Sequence, residues 1–222
     1  MAYQAVLYDM DGTVLDTLDD LYHAANAALR AFSLPEASKE KVCASLGNGA
    51  SYLIHACVPE GTPEDLTQRV VDWYVPWYAA HCRIFTRPYP GITELMERLR
   101  EKGVRQALIS NKGDGAVKEL AEEFFPGLLE TAVGESPTVR RKPDPDAVLA
   151  AAERMGVPPE RCVYVGDTEV DLVTARNAGM DCIAVSWGFR SERQLLDDGA
   201  ALIVHSAEEL EAAVLSEKSA DF

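Results

Sequence analysis

From Pro88 to Leu215 short apolar runs alternate with stretches of helical periodicity, an order that admits few folds. The predicted elements are helix Ile92–Glu101, strand Gln106–Ser110, helix Ala116–Phe124, strand Thr131–Val133, helix Pro145–Met155, strand Cys162–Val165, helix Val170–Asn177, strand Asp181–Val185, strand Leu202–Val204 and helix Ala207–Leu215. Strands separated by helices tend to run parallel, since each crossover carries the chain back to the same edge, and the helices then cover both faces of the sheet. An earlier run, Ala5-Val6-Leu7-Tyr8, reads as one more buried strand of that sheet. Between it and Pro88 the texture is helical. Thr17-Leu18-Asp19-Asp20 has capping-box spacing and opens a helix through Ala24, Ala28, Leu29 and Phe32 that stops near Pro35. Further helices are predicted at Lys39–Leu46, at Ala50–Cys57, and from Pro63 to about His81, with Thr62 capping and Pro63 in the first helical position.

The fold class is therefore α/β: a Rossmann-like doubly wound parallel sheet core made of residues 1–15 and 87–222, interrupted after its first strand by a small all-helical domain, 16–86. Arg87-Pro88-Tyr89-Pro90-Gly91 is the expected returning hinge, with its partner around Leu15 to Thr17, and the end from Ser216 to Phe222 is expected to fray. Trp73, Tyr74, Trp77 and Tyr78 recur at helical spacing and read as helical-domain core or a subunit contact, not as a base-stacking platform.

Asp9 and Asp11 emerge where the first strand ends, and Gly12 follows at once. Ligands of open α/β sheets bind at that edge, where the strand-to-helix loops converge. Two carboxylates so close repel unless a cation, a shared proton or hydrogen bonds compensate them, and a divalent metal is the simplest solution. A solvated surface turn is the alternative, since Asp and Gly form turns readily. An EF-hand loop is ruled out, because its glycine stands sixth behind a helix and Gly12 stands fourth behind a strand.

The formal charge of −15, from 36 acidic and 21 basic residues, argues against nucleic acid or an anionic membrane as partner and leaves a small molecule or a cation. The five cysteines contain no Cys-x-x-Cys, so neither a disulfide framework nor a zinc knuckle is expected, and a reduced cytoplasm fits. The amino terminus lacks a basic segment followed by an apolar stretch, and no run approaches the ~20 apolar residues of a membrane span. His23, His55, His81 and His205 show no metal-pair or triad spacing.

Three later strand ends repeat the pattern of Asp9: Ser110-Asn111-Lys112, Arg141-Lys142-Pro143 and Gly166-Asp167-Thr168-Glu169-Val170-Asp171. Taken singly, Ser110 could be a turn former, Lys142 a solvated cation, and Asp171 the partner of Thr168 in a capping box. In order, however, Asp9-Met10-Asp11-Gly12-Thr13, Ser110-Asn111, Lys142-Pro143 and Gly166-Asp167 through Asp171 resemble the four motifs of the haloacid dehalogenase-like superfamily, over essentially the whole chain. The helical insert is placed like that family's small cap domain.

The resemblance implies that Asp9 attacks phosphorus to form an aspartyl phosphate and that Asp11 is the general acid, then base. Magnesium would be held by the carboxylate of Asp9, the backbone carbonyl of Asp11 and the carboxylate of Asp167. Ser110 and Lys142 would stabilise the transferring phosphoryl group, Asn111 would contact phosphate, and Asp171 would support the metal site. The cap would open and close over the core.

Leu46-Gly47-Asn48-Gly49-Ala50, the Trp187-Gly188-Phe189 segment through Leu195, Gly199-Ala200 and Glu209-Leu210 are similar to the phosphoglycolate phosphatase subgroup. That likeness makes Gly47, Asn48 and Gly49 candidate substrate contacts and 2-phosphoglycolate the leading substrate. Pyrophosphate, a sugar phosphate, a phosphomutase reaction or a phosphate-binding protein without turnover remain alternatives. A cytoplasmic monomer or homodimer is expected.

Overall fold

The computed structural model describes residues 3–216. In chain order the elements are β1 (Ala5–Tyr8), the short β2 (Leu15–Asp16), α1 (Leu18–Ala31), α2 (Lys39–Ala44), α3 (Gly49–Cys57), α4 (Glu64–His81), the short β3 (Arg87–Pro88), α5 (Ile92–Glu101), β4 (Arg105–Gly113), α6 (Asp114–Phe124), β5 (Thr131–Glu135), α7 (Asp146–Met155), β6 (Cys162–Gly166), α8 (Glu169–Ala178), β7 (Asp181–Val185), α9 (Glu192–Asp197), β8 (Ile203–Val204) and α10 (Ala207–Leu215). The chain divides into two compact units, Met1–Leu15 with Pro88–Phe222, and Asp16–Arg87.

In the first unit the strands form a parallel sheet in the order β5-β4-β1-β6-β7-β8. The chain works outward from β1 through β4 to β5, then returns to lay β6, β7 and β8 on the other side. The order thus reverses between β1 and β6, and the loops leaving these strands diverge there to open a crevice. Register aligns the strand ends: Tyr8 pairs with Leu108 on one side and Val165 on the other. Asp9 therefore lies one step beyond that row, and Ser110 and Asp167 two steps beyond it.

Side-chain alternation explains why β1 is apolar on both faces. Leu7, Ile109 and Tyr164 share one buried cluster with Ala147, Val148 and Ala151 of α7 and Ala175 of α8. Tyr8 and Gln106 face the opposite way, where the Tyr8 hydroxyl donates to Gln106 Oε1 at 3.0 Å and Gln106 Nε2 donates to the Met96 carbonyl of α5 at 2.9 Å. Each fully buried large apolar side chain contributes about 1.5–3 kcal/mol, so a strand whose four residues are all 0 % exposed anchors the sheet.

Two features of the first unit depart from the sequence expectation. Strand β4 runs past Ser110 to Gly113, and its pairing with β5 shifts register between Ile109 and Gly113, so Ser110, Asn111 and Lys112 sit in a bulge. Helix α9 has no counterpart among the expected elements; Ser191 caps it by accepting from Gln194 N.

In the second unit α4 packs against α1 and α3. Tyr74 and Tyr78, stacked at 5.7 Å, are buried, while Trp73 and Trp77 are half-buried and stack at 5.9 Å. The expected Thr17–Asp20 capping box is absent. The Asp20 carboxylate instead accepts from Phe85 N at 3.1 Å, Thr86 N at 2.8 Å and Thr86 Oγ1 at 2.7 Å, so two backbone donors and a hydroxyl far along the chain outcompete one local amide. Pro63 stands at the N-cap of α4 rather than inside it, and the Thr62 hydroxyl donates to the Pro59 carbonyl at 2.7 Å instead of capping. The expected fraying from Glu217 onward lies outside the described residues.

Candidate active site

The crevice at the end of β1 and β6 holds a set of buried charges. Asp9 N–H donates to the Val165 carbonyl at 2.8 Å, which continues the ladder one residue past β1 and fixes the side chain above the sheet. Asp9 Oδ1 accepts from Met10 N at 2.7 Å and lies 2.8 Å from Lys142 Nζ. The same ammonium reaches Asp171 Oδ1 at 2.7 Å and the Tyr164 hydroxyl at 3.0 Å. Lys142 is held in turn by Asn111, whose Oδ1 accepts from Lys142 N at 2.7 Å and whose Nδ2 donates to the Lys142 carbonyl at 3.0 Å. Asn111, expected at the phosphate, thus spends both ends of its side chain on the Lys142 backbone and acts there as a brace.

Asp171 is tied into the network through both of its oxygens. Its Oδ2 accepts from Asp167 N at 3.2 Å, Thr168 N at 3.1 Å and Thr168 Oγ1 at 2.8 Å, while Oδ1 takes Lys142, so both oxygens are occupied. Asp167 is fully buried and is held by Thr13 Oγ1 on Oδ1 at 2.9 Å and by Phe189 N on Oδ2 at 2.7 Å. The Trp187 indole N–H donates to the Thr13 carbonyl at 3.0 Å, linking that loop to the β1 turn. Gly12, at φ +82°, and Gly188 are both required, because a Cβ on either would collide with the Asp167 carboxylate.

Asp11 is on the edge of this set. Its Oδ1 is 3.0 Å from Lys112 Nζ, yet that buried oxygen accepts no hydrogen bond among the described residues: the two charges are near each other without an aligned N–H. Ser110 is buried, and its Oγ accepts from Lys112 N at 3.2 Å.

Burial raises the carboxyl of Asp9 to about 7, against the pull of Lys142 and with the help of Asp171 and Asp11. Burial likewise lifts Asp167 well above the ordinary carboxylate range, with Asp171 and Asp9 adding to it and Phe189 N–H and Thr13 opposing. Burial disfavours the charge on Lys142, but Asp171 and Asp9 overcome it and hold the ammonium well above its ordinary value. Four carboxylates, Asp9, Asp11, Asp167 and Asp171, thus face two ammonium groups, Lys142 and Lys112. The imbalance equals the charge of one divalent cation. Oxygens of Asp9, Asp167 and Asp171 all lie within 4.8 Å of one another, and an all-oxygen donor set suits a hard cation such as Mg2+.

Of the residues singled out in the sequence, Asp9, Asp11, Ser110, Asn111, Lys142, Asp167 and Asp171 belong to this unit, and Gly47, Asn48 and Gly49 to the helical one, at the start of α3. Sequence reasoning missed Lys112, Thr13, Trp187 and the Phe189 amide as members of the site. Thr13 closes the first recognised motif and Lys112 directly follows the second; nothing local marks the amide.

The sequence profile of the haloacid dehalogenase-like hydrolases matches residues 6–185. Phosphoglycolate phosphatase 1 of Pseudomonas aeruginosa is 31 % identical over 211 residues, covering 92 % of this chain and 77 % of the relative. An N-acetylmuramic acid 6-phosphate phosphatase of the same species is 29 % identical, covering 95 % and 94 %. A crystal structure from Lactobacillus delbrueckii subsp. bulgaricus, of a protein with an inferred phosphoglycolate phosphatase activity, superposes with a TM-score of 0.93 at 41 % identity, covering 98 % of this chain and 100 % of that one. The chain belongs to the haloacid dehalogenase-like hydrolases. Within them it is a phosphatase, a phosphoric monoester hydrolase resembling the phosphoglycolate phosphatases. No helix among the described residues is long and apolar enough to cross a membrane.

Proposed function

We propose that this phosphatase hydrolyses 2-phosphoglycolate to glycolate and phosphate through an aspartyl phosphate on Asp9, with Mg2+ as cofactor. The observation that carries the proposal is the asymmetric treatment of the two motif carboxylates. One oxygen of Asp9 is pinned by Met10 N–H and Lys142, which aims the other as a nucleophile. An Asp11 oxygen is buried without a hydrogen bond, which suits a group that must exchange a proton with the leaving oxygen and then with water. Lys142 and Ser110 face the transferring phosphoryl oxygens as preorganised donors, and Asn111 and Asp171 keep Lys142 in place. Mg2+, held by the carboxylates of Asp9 and Asp167 and the Asp11 carbonyl, would neutralise phosphoryl charge and keep Asp9 ionised.

For Gly47, Asn48 and Gly49 the support is sequence resemblance alone, and on that ground the helical unit enters as a cap that reads the organic part of the substrate. Five unbridged cysteines suit a cytoplasmic setting. A second reading, a small sugar phosphate as substrate, is favoured by the likeness to the N-acetylmuramic acid 6-phosphate phosphatase.

The test is kcat/KM for phosphate release from 2-phosphoglycolate, sugar phosphates and pyrophosphate with Mg2+, using Asp9→Asn as the blank. A clear preference for 2-phosphoglycolate that vanishes in the variant is expected. Better turnover of another compound would overturn the substrate, and release insensitive to the substitution would overturn the mechanism.

A further inference from the structure

The Asp167 carboxylate is set by two donors, Thr13 Oγ1 at 2.9 Å and Phe189 N–H at 2.7 Å. Thr13 lies in the tight turn after β1, but Phe189 lies in the irregular stretch between β7 and α9, where residues 187–190 belong to no strand or helix. An amide in such a stretch keeps a fixed direction only if its neighbours are tied down. On one side Trp187 is tied, its indole N–H donating to the Thr13 carbonyl at 3.0 Å. On the other side Arg190 is tied. Its Nε and Nη2 donate to Glu169 Oε2 and Oε1 at 2.8 and 3.0 Å, a two-point bond to the first residue of α8, which stands two positions beyond Asp167.

Holding α9 to the core does not account for this pair. That helix is already anchored by the fully buried Leu195, which packs with Leu172 of α8 and Ala184 of β7, and its start is closed by the capping box of Ser191 and Gln194. The Arg190 side chain is nevertheless only 8 % exposed. A guanidinium taken out of water loses hydration that only well-directed partners offset, and its planar fork on a carboxylate fixes direction as well as distance. Bonded to the turn that carries Asp167, Arg190 ties the adjacent Phe189 amide to that turn.

Resting on the reading of Asp167 as a Mg2+ ligand, we infer that Arg190 is a positioning residue for the cation site: through Glu169 it holds the Phe189 N–H on Asp167 and so fixes the plane of that carboxylate. Charge and position make opposite forecasts for its removal. A guanidinium near the crevice repels a divalent cation, so on Coulomb grounds alone the loss of Arg190 tightens Mg2+ binding. The loss of a group that aims a ligand weakens it. Removing Glu169 would not separate the two, since its lost charge and its lost geometry act in the same direction. Arg190 is therefore the residue to change.

The test measures Mg2+ affinity by isothermal titration calorimetry on the substrate-free protein, and hydrogen exchange of the Phe189 amide on EDTA-treated protein, for the wild type, Arg190→Met, Arg190→Lys and Arg98→Met. Arg98→Met breaks an ion pair between α5 and α10, to Glu211, and controls for a simple loss of stability. Arg190→Met is expected to bind Mg2+ roughly 10-fold more weakly, the lower end of the effect of groups that orient metal ligands, and to exchange the Phe189 amide faster. Arg190→Lys keeps the charge and one bond in place of two, so it should fall between, and the control should match the wild type in both measurements. Unchanged or tighter Mg2+ binding by Arg190→Met overturns the inference and leaves the metal reading intact, and so does equal weakening in Arg98→Met. Weaker binding with unaltered Phe189 exchange overturns the route through that amide. A wild type that binds no Mg2+ overturns the metal reading, and the inference with it. Should Arg190→Met fail to fold, Arg190→Lys is read against the wild type in the same way, since with the charge kept any weakening is geometric.

Discussion

At the residue scale, the site is organised by what each carboxylate is given to hold. Asp171 shows this most plainly, because one oxygen takes the Lys142 ammonium and the other takes three donors from Asp167 and Thr168. Asparagine in its place has one oxygen, so its amide nitrogen must face either an ammonium or a row of N–H groups. Asp171→Asn is therefore expected to lower the unfolding free energy by about 2–4 kcal/mol in a urea titration, the range for an unpaired buried donor or charge. It should also slow turnover, since Lys142 loses one of its supports. An unchanged urea midpoint would show that the network does not bear on stability. The pairing of Asp171 with Thr168 was readable from the capping-box spacing of the two residues. The brace from Asn111 was not, because it joins residues that only the sheet brings side by side.

At the element scale, the bulge of β4 and the loop after β7 do what no single residue does. The loop carries Trp187, Gly188 and Phe189, tying Thr13 and Asp167 together through an indole and an amide. A methyl group on residue 188 would overlap the Asp167 side chain, so Gly188→Ala must push the loop away and break the amide contact. Groups that orient metal ligands are worth about 10- to 100-fold in metal affinity. Gly188→Ala should accordingly raise the Mg2+ concentration at half-maximal rate by that order, with the circular dichroism spectrum unchanged. A Mg2+ requirement identical to wild type would remove this loop from the metal site. Sequence periodicity ended β4 at Ser110 because a polar triplet follows; the structure carries the strand through it, and the extra residues are absorbed as a bulge.

At the scale of the whole molecule, an acidic chain of net charge −15 concentrates uncompensated carboxylates at one sheet edge, and pH should register this. Burial raises Asp9 to about 7 and moves Asp167 the same way. A carboxyl whose value is higher in the fold than in the open chain holds its proton longer when folded. The metal-free protein therefore loses the Asp9 contribution as pH climbs from about 4, the open-chain value, to about 7, and Asp167 acts in the same direction. A divalent cation competes with those protons. The rise in Tm on adding Mg2+ to EDTA-treated protein is expected to be small near pH 5 and to grow up to about pH 8. A rise of equal size at both would separate cation binding from these carboxyls.

The amino-acid sequence by itself determined the alternation of strands and helices, the helical insert, and the acids that follow β1 and β6, because periodicity, turn chemistry and motif order are properties of near neighbours in the chain. Tertiary structure alone decided that Asp20 binds Phe85 and Thr86 rather than its own helix end, that Asn111 braces Lys142, and that Lys112 meets Asp11. Each of these joins groups whose distance depends on sheet register, on one bulge or on a distant turn, and a buried polar group takes the best partner the packed fold offers, whatever its position along the chain.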